Sequence, residues 1–187
     1  MGACRDDDYG KAAKLLLLTG LRREEVGRLQ WHEVNLSDGT ITLPPERTKN
    51  GREHVIPLSG AALGILHSIA PRAGTTALFG GRGFTDWHRG KRTLDRRIAE
   101  TRGEALAPWR LHDCRRTVAT GLAKLGVDLP TIEKCLNHTS GSFAGVVGVY
   151  QRHDYFVEKK RALAIWADHV LALGERRPSV VSPLRRA

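Results

Sequence analysis

Four separated segments of this 187-residue chain each offer a residue suited to a phosphodiester. In Thr19-Gly20-Leu21-Arg22-Arg23-Glu24-Glu25, Arg22 follows a glycine turn where a helix begins. A guanidinium there can fork onto two phosphate oxygens, and nearby backbone N–H groups add to the field. Glu25, three residues on, can hold Arg22 or a neighbour in place, although a plain helix-surface ion pair has the same pattern. Thr48-Lys49-Asn50-Gly51-Arg52 reads as a hairpin tip that projects Lys49 away from the body. An ammonium can release a proton at useful pH, which a guanidinium cannot. An ordinary solvated turn lysine fits the same segment. In Leu111-His112-Asp113-Cys114-Arg115-Arg116-Thr117, His112 and Arg115 stand at i and i+3 on one helix face. They pair a donor that switches near neutral pH with a permanent cation. Arg116 points elsewhere. Lastly, Cys135-Leu136-Asn137-His138-Thr139-Ser140 supplies a second histidine, and Tyr150 follows it by 12 residues. The Gly/Ser-rich stretch Ser140 to Gly148 lets that phenol swing to a phosphate, whereas core packing is the usual fate of a tyrosine. Tyr9 and Tyr155 are the other candidates.

Other chemistries lack their residues. His112 and His138 have no Cys or carboxylate at metal-ligand spacing, so no zinc site is expected. No Walker-type glycine loop indicates ATP, and no carboxylate cluster suggests a two-metal nuclease.

The elements that must position these groups are mostly helices. Periodicity predicts a first helix from about Asp8 to Leu18, with the run Asp6–Asp8 at its N-terminus. A second runs from Glu24 to about Trp31. Thr40–Leu43 and His54–Ile56 read as strands, with Asn50-Gly51 as the turn signal. Pro44-Pro45 interrupts the first arm, which favours a small three-stranded sheet over one long hairpin. Further helices are expected at Ala61–Ile69, from an Asp86 cap to about Arg102, at His112–Leu125, at Pro130–Leu136 and at Phe156–Leu173. In the last, Leu163, Trp166, Val170 and Leu173 form one apolar stripe, which either packs on its own domain or docks on a neighbouring protomer. The expected fold is mainly α with a small antiparallel sheet. One domain covers residues 1–174, and a basic, disordered tail covers 175–187.

Lys and Arg number 30 against 20 Asp and Glu, a net charge of +10 with a pI near 10.1. A polyanion is therefore the first partner to consider, nucleic acid above all, with a ribosome-associated or merely basic protein as the alternative. Hydrophobic residues make up 41%, and no apolar run approaches the roughly 20 residues that cross a membrane. A cytoplasmic protein is expected. Cys4, Cys114 and Cys135 form no C-x-x-C pair, and Cys114 and Cys135 read as small buried side chains.

Taken together, Arg22, Lys49, His112-x-x-Arg115, His138 and Tyr150 resemble the tyrosine recombinases of the phage-integrase type, whose catalytic residues come in this order. The context resembles them too: the Leu15–Gly20 run, Leu29 with Trp31, the T-K-N-G-R hairpin, and the flank Tyr150-Gln151-Arg152-His153. The resemblance implies the recombinase catalytic-domain fold and site-specific cutting and rejoining of double-stranded DNA. Tyr150 would form a 3′-phosphotyrosyl bond. Arg22, Arg115 and one or both histidines would stabilise the phosphate charge, and Lys49 would protonate the leaving 5′ oxygen. Glu25 would support the site, and Arg23, Arg52 and Arg116 would contact DNA. No cofactor or metal is implied. A homo-oligomer on DNA, linked by exchange of the C-terminal helix, is implied as partner chemistry. Two departures stand out. Asn137 replaces a glycine common before the second histidine, and the pattern starts almost at once, with no preceding helical clamp domain. A truncated, excised or stand-alone short form is then expected. An active strand transferase is expected, against a DNA-binding remnant with little activity or a topoisomerase-like nicking enzyme.

Overall fold

The computed structural model describes residues 1–138 and 154–175. The central element is α1, Asp8–Thr19. It starts at Asp7, whose carboxylate accepts the Gly10 N–H at 2.7 Å, and ends at Gly20, whose φ is +69°. Its buried positions, Tyr9, Ala12, Ala13, Leu15, Leu16, Leu18 and Thr19, surround the helix, as a helix with neighbours on several sides requires. Those neighbours are α2 (Arg23–Gly27), α3 (Gly60–His67), α4 (Trp87–Arg102), α5 (Leu111–Lys124) and the last helix, α7 (Phe156–Glu175). Between α5 and α7 lies α6, Leu129–Cys135, started by the Asp128 side chain on the Thr131 N–H at 2.9 Å and by Pro130.

The sheet is antiparallel in the order β1 (Val34–Asn35), β2 (Thr40–Leu43), β3 (His54–Pro57). Ile41 lies opposite Ile56, and Leu43 opposite His54. Period-2 alternation therefore turns the His54 ring to the same core-facing side as these three apolar residues. The Asn50-Gly51 signal marks a bend with φ +65° at Gly51, not a tight two-residue hairpin turn. The register leaves residues 44–53 as a long loop, because Pro44 and Pro45 stop β2 and open a 3-10 turn, Pro45–Arg47.

Helix α2 is shorter than its periodicity suggests. Gly27 lies against the Trp87 ring, and beyond it the chain extends, with the Leu78 N–H on the Leu29 carbonyl at 2.9 Å. Trp31 begins a separate 3-10 turn. Asp86 precedes α4 but makes no side-chain cap bond. Cys135 is buried, and Cys114 is only partly so.

The apolar stripe of α7 covers this chain's own core. Leu163, Trp166 and Val170 are buried with Ala162 and Ala167, whereas Leu173 is 51% exposed and falls outside the stripe. Trp166 packs against Gly121 of α5, and its indole N–H donates to the Leu17 carbonyl at 2.7 Å. At the other end of α7 the Lys159 ammonium donates to the Val55 carbonyl of β3 at 2.7 Å.

Candidate active site

The site is built around the C-terminus of α6. Asn137 takes the left-handed conformation, with φ +47°. The Asn137 N–H donates to the Lys134 carbonyl at 3.3 Å and the His138 N–H to the Glu133 carbonyl at 2.9 Å. This is a Schellman ending, and Asn is the residue after Gly best able to form it. The asparagine at a position where the resemblance leads one to expect glycine thus keeps the turn and presents His138 just past the helix.

Two guanidinium groups converge on the carbonyls that this helix end leaves free. Arg115, at 4% exposure, donates to the Leu136 carbonyl and, at 2.6 Å, to the Gly20 carbonyl. One side chain thereby joins the C-terminal ends of α1 and α6, where partial negative charge gathers. Arg22 reaches the Asn137 carbonyl at 3.5 Å. Buried Glu25 fixes Arg22 twice, accepting from its guanidinium and from its backbone N–H, each at 2.8 Å. Gly20 lets the two ends meet, since a Cβ there would stand 2.7 Å from the Leu136 side chain.

Lys49 is exposed on the loop between β2 and β3. The tip is not a free projection. Arg47 holds one side of it, donating to Glu33 at 2.7 Å and to the Glu25 carbonyl at 3.1 Å. Asn50 holds the other through Asn137. Lys49, Arg22 and His112 line one cleft of 910 Å³. Its far wall carries Lys91 4.4 Å over the Trp109 ring, whose N–H donates to Asp95 at 2.8 Å. His138 lies beside this cleft and lines a smaller cavity of 360 Å³ with Asn137 and Lys159.

The electrostatics show that these cations share one field. Burial first, then the charges of Arg115 and Arg22, lower the His138 pKa, with Glu133 opposing and His112 adding to the fall. Burial, followed by the Arg22 charge, lowers Arg115 to about 10 against the pull of Glu25. Cations held together against their own repulsion form a complement to an oxyanion.

Arg22, Arg115 and His138 are thus brought together, with His112 and Lys49 at the cleft beside them. Arg23 is exposed and paired with Glu24. Arg116 is exposed, 3.5 Å from Asp113, and Arg52 is exposed on the hairpin loop. Tyr150, the Ser140–Gly148 segment, the flank 151–153 and the tail 176–187 lie outside the described residues. Sequence reasoning did not single out Arg47, His54 or Lys159 as site neighbours, and it read Asn50 as a turn residue and Asn137 as a departure from glycine, not as partners of one another. Among the described residues, no group of three or more His, Cys, Asp or Glu side chains is placed to hold a metal ion, and no helix is long and apolar enough to cross a membrane.

The chain belongs to the phage integrase family, whose profile matches residues 3–155. It is 34% identical to the prophage integrase IntZ of Escherichia coli strain K12 over 161 residues, 85% of this chain and 39% of that protein. It spans about two fifths of the length of the curated relatives it matches. Its fold is that of XerA recombinase, with a TM-score of 0.58 at 18% identity over 94% of this chain and 60% of that one. It is likewise similar to the Tn1549 transposon integrase, solved in complex with transposon right end DNA, with a TM-score of 0.56 at 18% identity over 88% and 59%.

Proposed function

We propose that this chain cuts and rejoins double-stranded DNA at a specific site through a covalent bond to Tyr150. The observation that carries the reading is the convergence of Arg22, Arg115 and His138 on the α6 terminus, with Lys49 and His112 on the adjoining cleft. In the cleavage step the Tyr150 oxygen loses its proton and bonds to the scissile phosphorus. The bond from phosphorus to the 5′ oxygen breaks, and that oxygen takes a proton from Lys49. The products are a 3′-phosphotyrosyl chain end and a 5′-hydroxyl. Attack by the 5′-hydroxyl of a partner strand reverses the step. Arg22 and Arg115 stabilise the charge on the non-bridging oxygens, and such preorganised donors are each worth about 3 kcal/mol. Burial and the neighbouring guanidinium charges lower the His138 pKa, which favours a neutral ring that offers an N–H to the phosphate. In this reading His112, exposed at the cleft, exchanges the tyrosine proton. The family's strand-transfer chemistry and a relative solved on DNA support the same reading.

A nicked duplex that traps the covalent adduct tests it. The parent chain is expected to form adduct, and Tyr150→Phe to form none. Equal adduct from both removes Tyr150 as the nucleophile. DNA binding by the parent without adduct on any junction sequence would instead mark a DNA-binding remnant.

A further inference from the structure

We propose that Asn50 and Asn137 form a clasp that positions Lys49 for proton donation, an inference that rests on the strand-cleavage reading above. The two amides face one another. The Asn50 Nδ2 donates to the Asn137 Oδ1 at 2.8 Å and to the Asn137 carbonyl at 3.2 Å, and the Asn137 Nδ2 donates back to the Asn50 Oδ1 at 3.2 Å. These bonds join residues 87 positions apart. One belongs to the loop that carries Lys49, the other to the turn that carries His138 and receives Arg22. The loop is braced within itself as well, since the Thr48 hydroxyl donates to the Arg52 carbonyl at 2.7 Å. Lys49 sits between two anchors, Arg47 on Glu33 and Asn50 on Asn137.

The physical argument is one of pre-organisation. A lysine on a free loop samples many positions, and only a small fraction of them place its ammonium on a given oxygen. Tying the neighbouring residue to the turn that carries His138 raises that fraction without touching the substrate. Asn50 and Asn137 are therefore positioning residues. Their removal affects proton donation, while the cationic field on the phosphate stays in place.

The discriminating experiment changes the leaving group. A 5′ oxygen departs as a strongly basic alkoxide and needs a proton. A 5′ sulfur in the same bridging position departs as a thiolate, whose conjugate acid has a pKa of about 8.5, and needs none. Adduct formation is measured on nicked duplexes with bridging oxygen or bridging sulfur, using the parent, Lys49→Ala, Asn50→Ala, Asn137→Gly and the double variant. Glycine at 137 keeps the left-handed turn, and thermal melting checks that every variant is folded. Lys49→Ala is expected to lose at least roughly 100-fold on oxygen and to recover on sulfur. Asn50→Ala, which loses all three clasp bonds, is expected to lose about tenfold on oxygen and to match the parent within about twofold on sulfur. Asn137→Gly, which keeps its carbonyl, should lose less and recover equally. The double variant should be no worse than Asn50→Ala, because both changes break one contact. Equal losses on oxygen and sulfur, or no loss at all, would overturn the clasp while leaving Lys49 as the acid. Failure of sulfur to rescue Lys49→Ala overturns the role of Lys49 and the clasp with it.

Discussion

Among single residues, His54 shows what burial does to a titratable group. At 4% exposure it lines the 360 Å³ cavity with Glu133, Lys134 and Lys159, and burial, followed by the charges of Lys159 and Arg115, lowers its pKa to about 3. Both ring nitrogens lack a well-formed hydrogen bond among the described residues. In the unfolded chain the same ring takes up a proton near pH 6.5. Between these values the unfolded state binds more protons, so folding is favoured fully above about pH 6.5 and loses stability as pH falls toward about 3. The full effect is roughly 5 kcal/mol. Urea unfolding across pH 7 to 4 should show this slope, and His54→Leu should flatten it. An unchanged slope in the variant would assign the acid sensitivity to other groups. Arg22 and Glu25 were legible as a pair because i, i+3 spacing is local. The partners of Arg115 were not, because the Gly20 and Leu136 carbonyls are backbone atoms that no residue type announces.

Helices and strands show where local signals suffice. The spans of α1, α4 and α5 agree with the sequence to within a residue or two, although Asp86, which marks the start of α4 in the sequence, makes no side-chain cap bond. α2 does not, because the ring that backs its last glycine comes from Trp87, far along the chain. The loop 44–53 defeats the Asn-Gly signal for a similar reason. Its register is set by Ile41, Leu43 and Ile56 reaching the core, and its tip is held by Asn137. The meeting of α1 with α6 depends on Gly20. Gly20→Ala would place a Cβ at φ +69° and 2.7 Å from Leu136. We expect a loss of about 2–3 kcal/mol, from left-handed strain and overpacking together, read as a fall in the unfolding midpoint. A change below about 0.5 kcal/mol would show that the two helix ends have room to part.

The whole molecule carries a net charge of +10, and the cleft beside the site has Arg22, Lys49, Lys91 and Arg110 on its walls. Affinity for duplex DNA should therefore fall steeply with salt, by roughly 0.9 in log K per log unit of salt for each phosphate contacted. Titration between low and moderate ionic strength measures it. A flat response would mean that the basic surface does not hold the backbone. The composition made this charge legible, but not its placement, which depends on packing α2, α4 and α5 around one opening.

Arg115 also governs how such a protein can decay. The cation that we propose faces the phosphate also ties together the ends of two helices, so a lineage that loses it would forfeit shape and chemistry in a single step. A relic can stay folded while falling silent through loss of Lys49 or His112, exposed groups whose absence the core does not register.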